Sequence, residues 1–139
     1  MSASASDLAA TEARTGLNDV DRWLEFGKQS VRKIAFVKDV FGALSARHSI
    51  WAYGAAGKAT MWVNACNMTY LEAVVDASPL RAGRLMPGTH TPIVAPDDLR
   101  RRPPQIIFVT AWNYADLIRS KESWFGGMWS TPLPDLRFF

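Results

Sequence analysis

The sequence predicts a single α/β domain of three layers: a mostly parallel sheet with helices on both faces, led by a long amphipathic helix. Three observations carry that prediction. Short runs that are largely apolar, at Ser49–Tyr53, Leu71–Asp76 and Gln105–Thr110, alternate with helical stretches, and strands buried on both faces belong to parallel sheets. A turn with two glycines, Gly54-Ala-Ala-Gly57, stands between the first run and the helix after it. Ahead of that run, apolar residues recur every three or four positions, the period of a helix.

Residues 1–17 are small, polar and aperiodic and read as a flexible segment, which leaves 18–139 as the domain. Asn18 or Asp19 suits a helix N-cap. From there Val20, Trp23, Leu24, Gly27, Val31, Ile34, Phe41 and Leu44 form one stripe to about Arg47, with charged residues between them. A helix of that length packs across a sheet or against a partner, and the pattern does not choose between them. Ser49–Tyr53 is the first strand, followed by a helix to about Asn67; Leu71–Asp76 is the second strand and ends in an acid. Turn formers at Ser78-Pro79, Gly83, Pro87-Gly88 and Pro92 make the next stretch a loop. Pro96 opens a short helix, Gln105–Thr110 is the third strand, and a helix runs from Asn113 to about Lys121 until Gly126-Gly127 breaks it. Met128–Pro134 is extended, and its prolines assign it to an edge or a tail.

Composition removes several classes of function. Hydrophobic residues make up 48% of the 139 and charged residues 21%, with six Trp and seven Phe, enough to bury a core and to exclude wholesale disorder. The net charge of +3 is mild and its one dense basic run, Arg100–Arg102, is short, so no nucleic-acid partner is expected. Cys66 is the single cysteine and sits on an apolar helix face, so no disulfide forms within the chain. With only His48 and His90 beside it, no metal site is expected either, and His48 reads as a helix C-terminal partner. No run is long and apolar enough to span a membrane, and the first residues are not a signal peptide. The reading is a cytoplasmic chain with no membrane partner.

The first strand–helix turn carries the chemistry. Ala52-Tyr53-Gly54-Ala55-Ala56-Gly57 is a G-x-G-x-x-G pattern whose first glycine has become alanine. In a dinucleotide fold the second glycine lets backbone approach a pyrophosphate, and the third lets helix and strand pack closely. Asp76 lies 22 residues beyond Gly54, near the distance at which such folds place a ribose-binding acid. The helix from Gly57 would aim backbone N–H groups at the turn, and Lys58 would add a charge. The pattern supports a Rossmann-like fold; glycines there also serve packing alone, and Asp76 also serves as a turn cap. A bound NAD or S-adenosylmethionine ranks lowest, since the turn fits neither fingerprint fully, so no cofactor is assigned.

Further motifs follow in order: Tyr53–Lys58, Val74–Asp76, Gly83–Ile93, Ala111–Asp116 and the ending Gly126-Gly127 with Pro132-Leu-Pro134. Together they closely resemble the C-terminal domain of the sugar C-methyltransferases, over roughly residues 12–139. This chain departs from the family pattern at Ala52 and over Ala59–Trp62. The resemblance implies a Rossmann-like domain that does not hold the methyl donor. In that family a middle domain holds S-adenosylmethionine and the catalytic base, a small N-terminal domain holds zinc, and the sugar nucleotide lies between the middle and C-terminal domains. What it implies here is half a substrate cleft without its own methyl-transfer machinery.

The carboxyl ends of parallel strands line the ligand crevice of an open sheet. On that rule Tyr53, Gly54, Ala55, Gly57, Lys58, Asp76, Thr89, His90, Trp112 and Asn113 are the candidate substrate-binding residues. Each has a plain alternative: His90 pins its own loop, Asn113 caps the helix after it, and Arg81 and Arg84 are solvated rather than on a phosphate. The first functional reading is a free-standing relative of that C-terminal domain, binding an anionic small molecule such as a nucleotide-sugar in a natural-product pathway. It serves a separate methyltransferase chain or has lost catalysis, and its leading helix, with Trp124 and Trp129, suits a partner or a second copy. The second is an independent isomerase, cyclase or lyase with His90, Asp76 or Lys58 as catalytic acid/base groups.

Overall fold

The structure is a computed structural model that describes residues 4–139. It forms two compact units, Met1–Lys33 and Ile34–Phe139. The first holds helix α1 (Ala5–Arg14) and the opening turns of helix α2 (Val20–Ser45). Helix α1 falls where the sequence reading has only a flexible segment. Its start is a capping box: the Asp7 N–H donates to Ser4 Oγ at 3.2 Å, and the Ser4 N–H to Asp7 Oδ2 at 3.1 Å. That pairing satisfies two of the donors a helix start leaves open, and α1 buries none of its residues. The expectation for residues 1–3 lies outside the described residues.

The second unit is the α/β domain. A six-stranded sheet has the order β3-β2-β1-β4-β5-β6, with β1 (Ile50–Tyr53), β2 (Val74–Val75), β3 (Ile93–Val94), β4 (Ile106–Val109), β5 (Met128–Thr131) and β6 (Arg137–Phe138). All neighbours are parallel except β5 and β6. Helix α3 (Gly57–Ala65) follows β1, α4 (Pro96–Arg101) follows β3, and α5 (Ala115–Lys121) follows β4 after a 3₁₀ turn at Trp112–Tyr114. Strand alternation sorts the side chains onto two faces. Ile50, Ala52, Ile106 and Phe108 pack with Val37, Phe41, Ala59 and Val63 of α2 and α3 on one face. Trp51, Tyr53, Ile107 and Val109 pack with Leu99, Ala115 and Ile118 of α4 and α5 on the other. Both faces are covered, hence the unbroken apolar strands. Phe41 and Phe108 meet edge to face at 4.8 Å, and truncating either to Ala would cost about 3–5 kcal/mol.

Three details differ from the sequence reading. The second strand shrinks to Val74–Val75, and β3 arises inside the stretch read as loop, where Val74 pairs with Ile93 and Val75 with Val94. Two-residue strands carry no period of their own; their neighbours define them. Strand β5 is not an edge: it pairs with β4 on one side and β6 on the other, because Pro132 and Pro134 fall just past its last residue.

Candidate functional site

The chain leaves β1 toward β2 and β3, then crosses back to place β4 on the other side of β1. The β1/β4 border is therefore the switch point of the sheet, and in open α/β folds the crevice at the carboxyl ends beside that point takes ligands. Gly54 stands there with φ of +99°, a conformation a side chain resists. Its N–H donates to the Val75 carbonyl at 2.7 Å, and a Cβ added to it would lie 3.0 Å from Ala111 Cβ. The Thr110 hydroxyl sits 2.6 Å from the Gly54 carbonyl and 2.9 Å from that of Tyr53, so one proton serves both and clamps the turn to β4.

Asp76 holds the turn from the other side. Its carboxylate accepts the Ala55 N–H at 2.7 Å, the Ser78 N–H at 2.8 Å and the Arg81 guanidinium at 3.1 Å. It is buried, with those donors taking up its oxygens. Arg81 is thus the ion-pair partner of Asp76, while its side chain stays 46% exposed.

Helix α3 starts at the same turn. Its N-cap is Ala56, which offers no side-chain acceptor, and its first turn carries no acid. Open backbone N–H groups and the helix dipole make that end electropositive. Lys58, in the first turn, places Nζ 2.6 Å from Asn113 Oδ1 and 4.6 Å from the centre of the Trp112 ring. The 3₁₀ turn after β4 is what brings Trp112 and Asn113 across to the lysine.

Between these elements lies a cleft of about 350 Å³, lined by Gly54, Ala56, Gly57, Lys58, Ala59, Thr110, Ala111, Asn113 and Tyr114. A larger groove, about 470 Å³, opens at the opposite end of the sheet near His48, Gln105 and Met128. It lies at the amino ends of β4 and β5, away from the switch point and Lys58. The smaller cleft is the candidate site.

Of the residues picked from sequence, Gly54, Gly57, Lys58 and Asn113 line the cleft. Ala55 and Asp76 hold its rim together through their mutual hydrogen bond, and Trp112 backs Lys58. Tyr53 points away: it packs on the face of α4 and α5, and its hydroxyl donates to Glu122 Oε1 at 3.1 Å. Burial, then the Glu122 charge, pushes that hydroxyl's pKa well above the usual tyrosine value. Thr89 and His90 do not line the cleft either. The Thr89 hydroxyl pairs with that of Thr91 at 2.9 Å, and His90 is exposed with φ of +56°, its N–H donating to the Met86 carbonyl at 3.0 Å. That loop is seated on α3 instead, where Asn64 Nδ2 donates to the Pro87 carbonyl at 2.9 Å.

Ala56, Ala59, Thr110, Ala111 and Tyr114 join the lining unforeseen. Thr110 had a signal: a hydroxyl at the carboxyl end of a buried strand beside the switch point. Gly57 is present without the packing role its position in the pattern suggests, since a Cβ there meets nothing within 4 Å. Among the described residues no group of three His, Cys, Asp or Glu is placed to hold a metal, and no helix is long and apolar enough to cross a membrane.

The sequence profile of the C-methyltransferase C-terminal domain matches residues 1–134. Over 138 residues the chain is 28% identical to the C-methyltransferase NovU of Streptomyces niveus, a match covering 95% of this chain and 33% of that one. It therefore spans about a third of the length of that relative.

Proposed function

The chain belongs to the C-methyltransferase C-terminal domain family, and from that premise we propose that it binds an anionic small molecule of the nucleotide-sugar class in the β1/β4 cleft. It presents this ligand to methyl-transfer machinery that lies outside these 139 residues. The observation that carries the reading is the meeting of Lys58 with the uncapped start of α3 at the switch point. Both features favour negative charge, and they converge on one wall of one cleft.

The residues divide the work. Lys58 and the first N–H groups of α3 take a phosphate of the ligand. Asn113 keeps the lysine extended toward it, and Trp112 supports the alkyl stem and the charge. Asp76 and Thr110 hold the Gly54 turn at its left-handed angle, so the backbone can approach the ligand closely. At about 350 Å³ the cleft accepts only part of a nucleotide-sugar and leaves the remainder outside. The methyl groups of Ala56, Ala59 and Ala111 on its wall offer no partner to sugar hydroxyls, which suits a deoxygenated ring. Such nucleotide-linked deoxysugars are cytoplasmic intermediates, and that is the setting this reading implies.

The test is thermal unfolding of the purified chain with thymidine and uridine diphosphate sugars, free nucleoside diphosphates, NAD and S-adenosylmethionine. A ligand at a hundred times its dissociation constant adds roughly 2.7 kcal/mol of stability. We expect a rise with the diphosphate sugars that Lys58→Ala removes. No rise with any diphosphate, or one indifferent to Lys58→Ala, overturns the binding reading. Methyl transfer by a C-methyltransferase stripped of its matching third, tried with and without this chain, tests the presentation of the ligand: no gain on adding the chain defeats it.

A further inference from the structure

The first unit turns its apolar side chains outward. Val20 is 70% exposed, Trp23 55%, Leu24 57% and Val31 68%, and no described residue of the unit is buried. Val20, Trp23, Leu24, Gly27 and Val31 follow helical spacing along α2 and make one stripe. Gly27, in its middle, has nothing within 4 Å of where a Cβ would stand, leaving room for another backbone to come close. An exposed stripe with a gap at its centre is the shape of an unoccupied helix-packing surface.

The charges beside the stripe indicate what occupies it. Asp21, Glu25, Lys28 and Arg32 are spaced four, three and four apart and share one flank of the helix. Arg32 reaches Glu25 along that flank at 2.7 Å, confirming that the two point the same way. Read from the amino end the flank is acid, acid, base, base. Read backwards it is base, base, acid, acid. A second α2 laid antiparallel across the stripe therefore sets Asp21 opposite Arg32 and Glu25 opposite Lys28, and a two-fold axis repeats both pairs. That axis falls beside Gly27, where the helices have room to touch. An unrelated partner would need no such self-complementary order.

We propose that two copies of this chain pair through the Val20–Val31 face of α2, antiparallel, with the axis at Gly27. Flanking charges of this kind set partner and orientation in paired helices.

Light scattering on the 139-residue chain tests it, with charge-swapped variants. The expected mass for the natural chain is twice 15.4 kDa. D21R/E25K makes the flank wholly basic and K28E/R32D wholly acidic, so each alone should run as a monomer. Mixed together, the two should regain the doubled mass. Leu24→Glu, in the apolar stripe, should also give a monomer. All four charged positions are exposed, so the variants should keep the helical circular dichroism of the natural chain. A natural chain that stays monomeric at about 100 μM overturns the proposal. So do variants that remain dimeric, folded variants that do not pair on mixing, and association that requires a methyltransferase chain.

Discussion

Asp76 accepts the Ala55 N–H at 2.7 Å, and through it the end of β2 fixes the turn that follows β1. The residue that stands where a dinucleotide fold keeps its ribose-binding acid serves here as a strut inside the protein. Its remaining capacity goes to Ser78 and Arg81.

That role predicts the behaviour of Asp76→Asn without any ligand. The variant loses a charge-assisted acceptor for two partly buried N–H groups and leaves Arg81 without its partner, at a cost of about 1.5–3 kcal/mol. A urea titration monitored by Trp fluorescence measures it. A carboxylate waiting for a ligand would change stability by no more than about 0.5 kcal/mol when replaced, and that result would remove the strut.

The two glycines of the turn should respond in opposite ways. Gly54→Ala puts a side chain at φ of +99° and 3.0 Å from Ala111 Cβ, and should destabilise the fold by about 1–3 kcal/mol. Gly57→Ala meets open space in the first turn of α3 and should stabilise by about 0.4–1 kcal/mol. Equal losses at both positions in thermal unfolding would contradict the geometry.

His90 holds a left-handed backbone and stands outside the cleft. His90→Gly should relieve strain of about 1 kcal/mol and leave diphosphate-sugar binding unchanged. Loss of binding in His90→Gly, followed by titration calorimetry, would return this histidine to the site.

Alkaline pH should weaken the fold. Burial pushes the Cys66 thiol up to about 11 and lifts the Tyr53 and Tyr70 hydroxyls well above their usual value; Glu122 adds to the rise at Tyr53, and Cys66 to that at Tyr70. Each group keeps its proton longer in the folded chain than in the unfolded one. Their stabilising contribution is therefore complete below about pH 8.5 and is lost as pH rises through the unfolded and then the folded values. Unfolding free energy measured from pH 7 to 11 should fall, and Tyr53→Phe with Tyr70→Phe should flatten the decline. A curve unchanged by both substitutions would place the titration elsewhere.

The sequence by itself determined the α/β class, the long helix, the parallel sheet and the turn at Gly54–Lys58. Each of these rests on a local signal: apolar strands, a helical period, glycines between a strand and a helix. The family was legible too, because its motifs stand in order along the chain. Only the tertiary structure decided which candidates meet. Lys58 reaches Asn113, 55 positions on in the chain, because β4 lies beside β1. Tyr53 leaves the cleft because neighbouring residues of a strand face opposite sides of the sheet, so one step from Ala52 carries its ring to Glu122. Strand β3 depends on its pairing with β2, and the hold of Asp76 on the first turn depends on Ala55, 21 positions back; a contact between distant segments leaves no period to read.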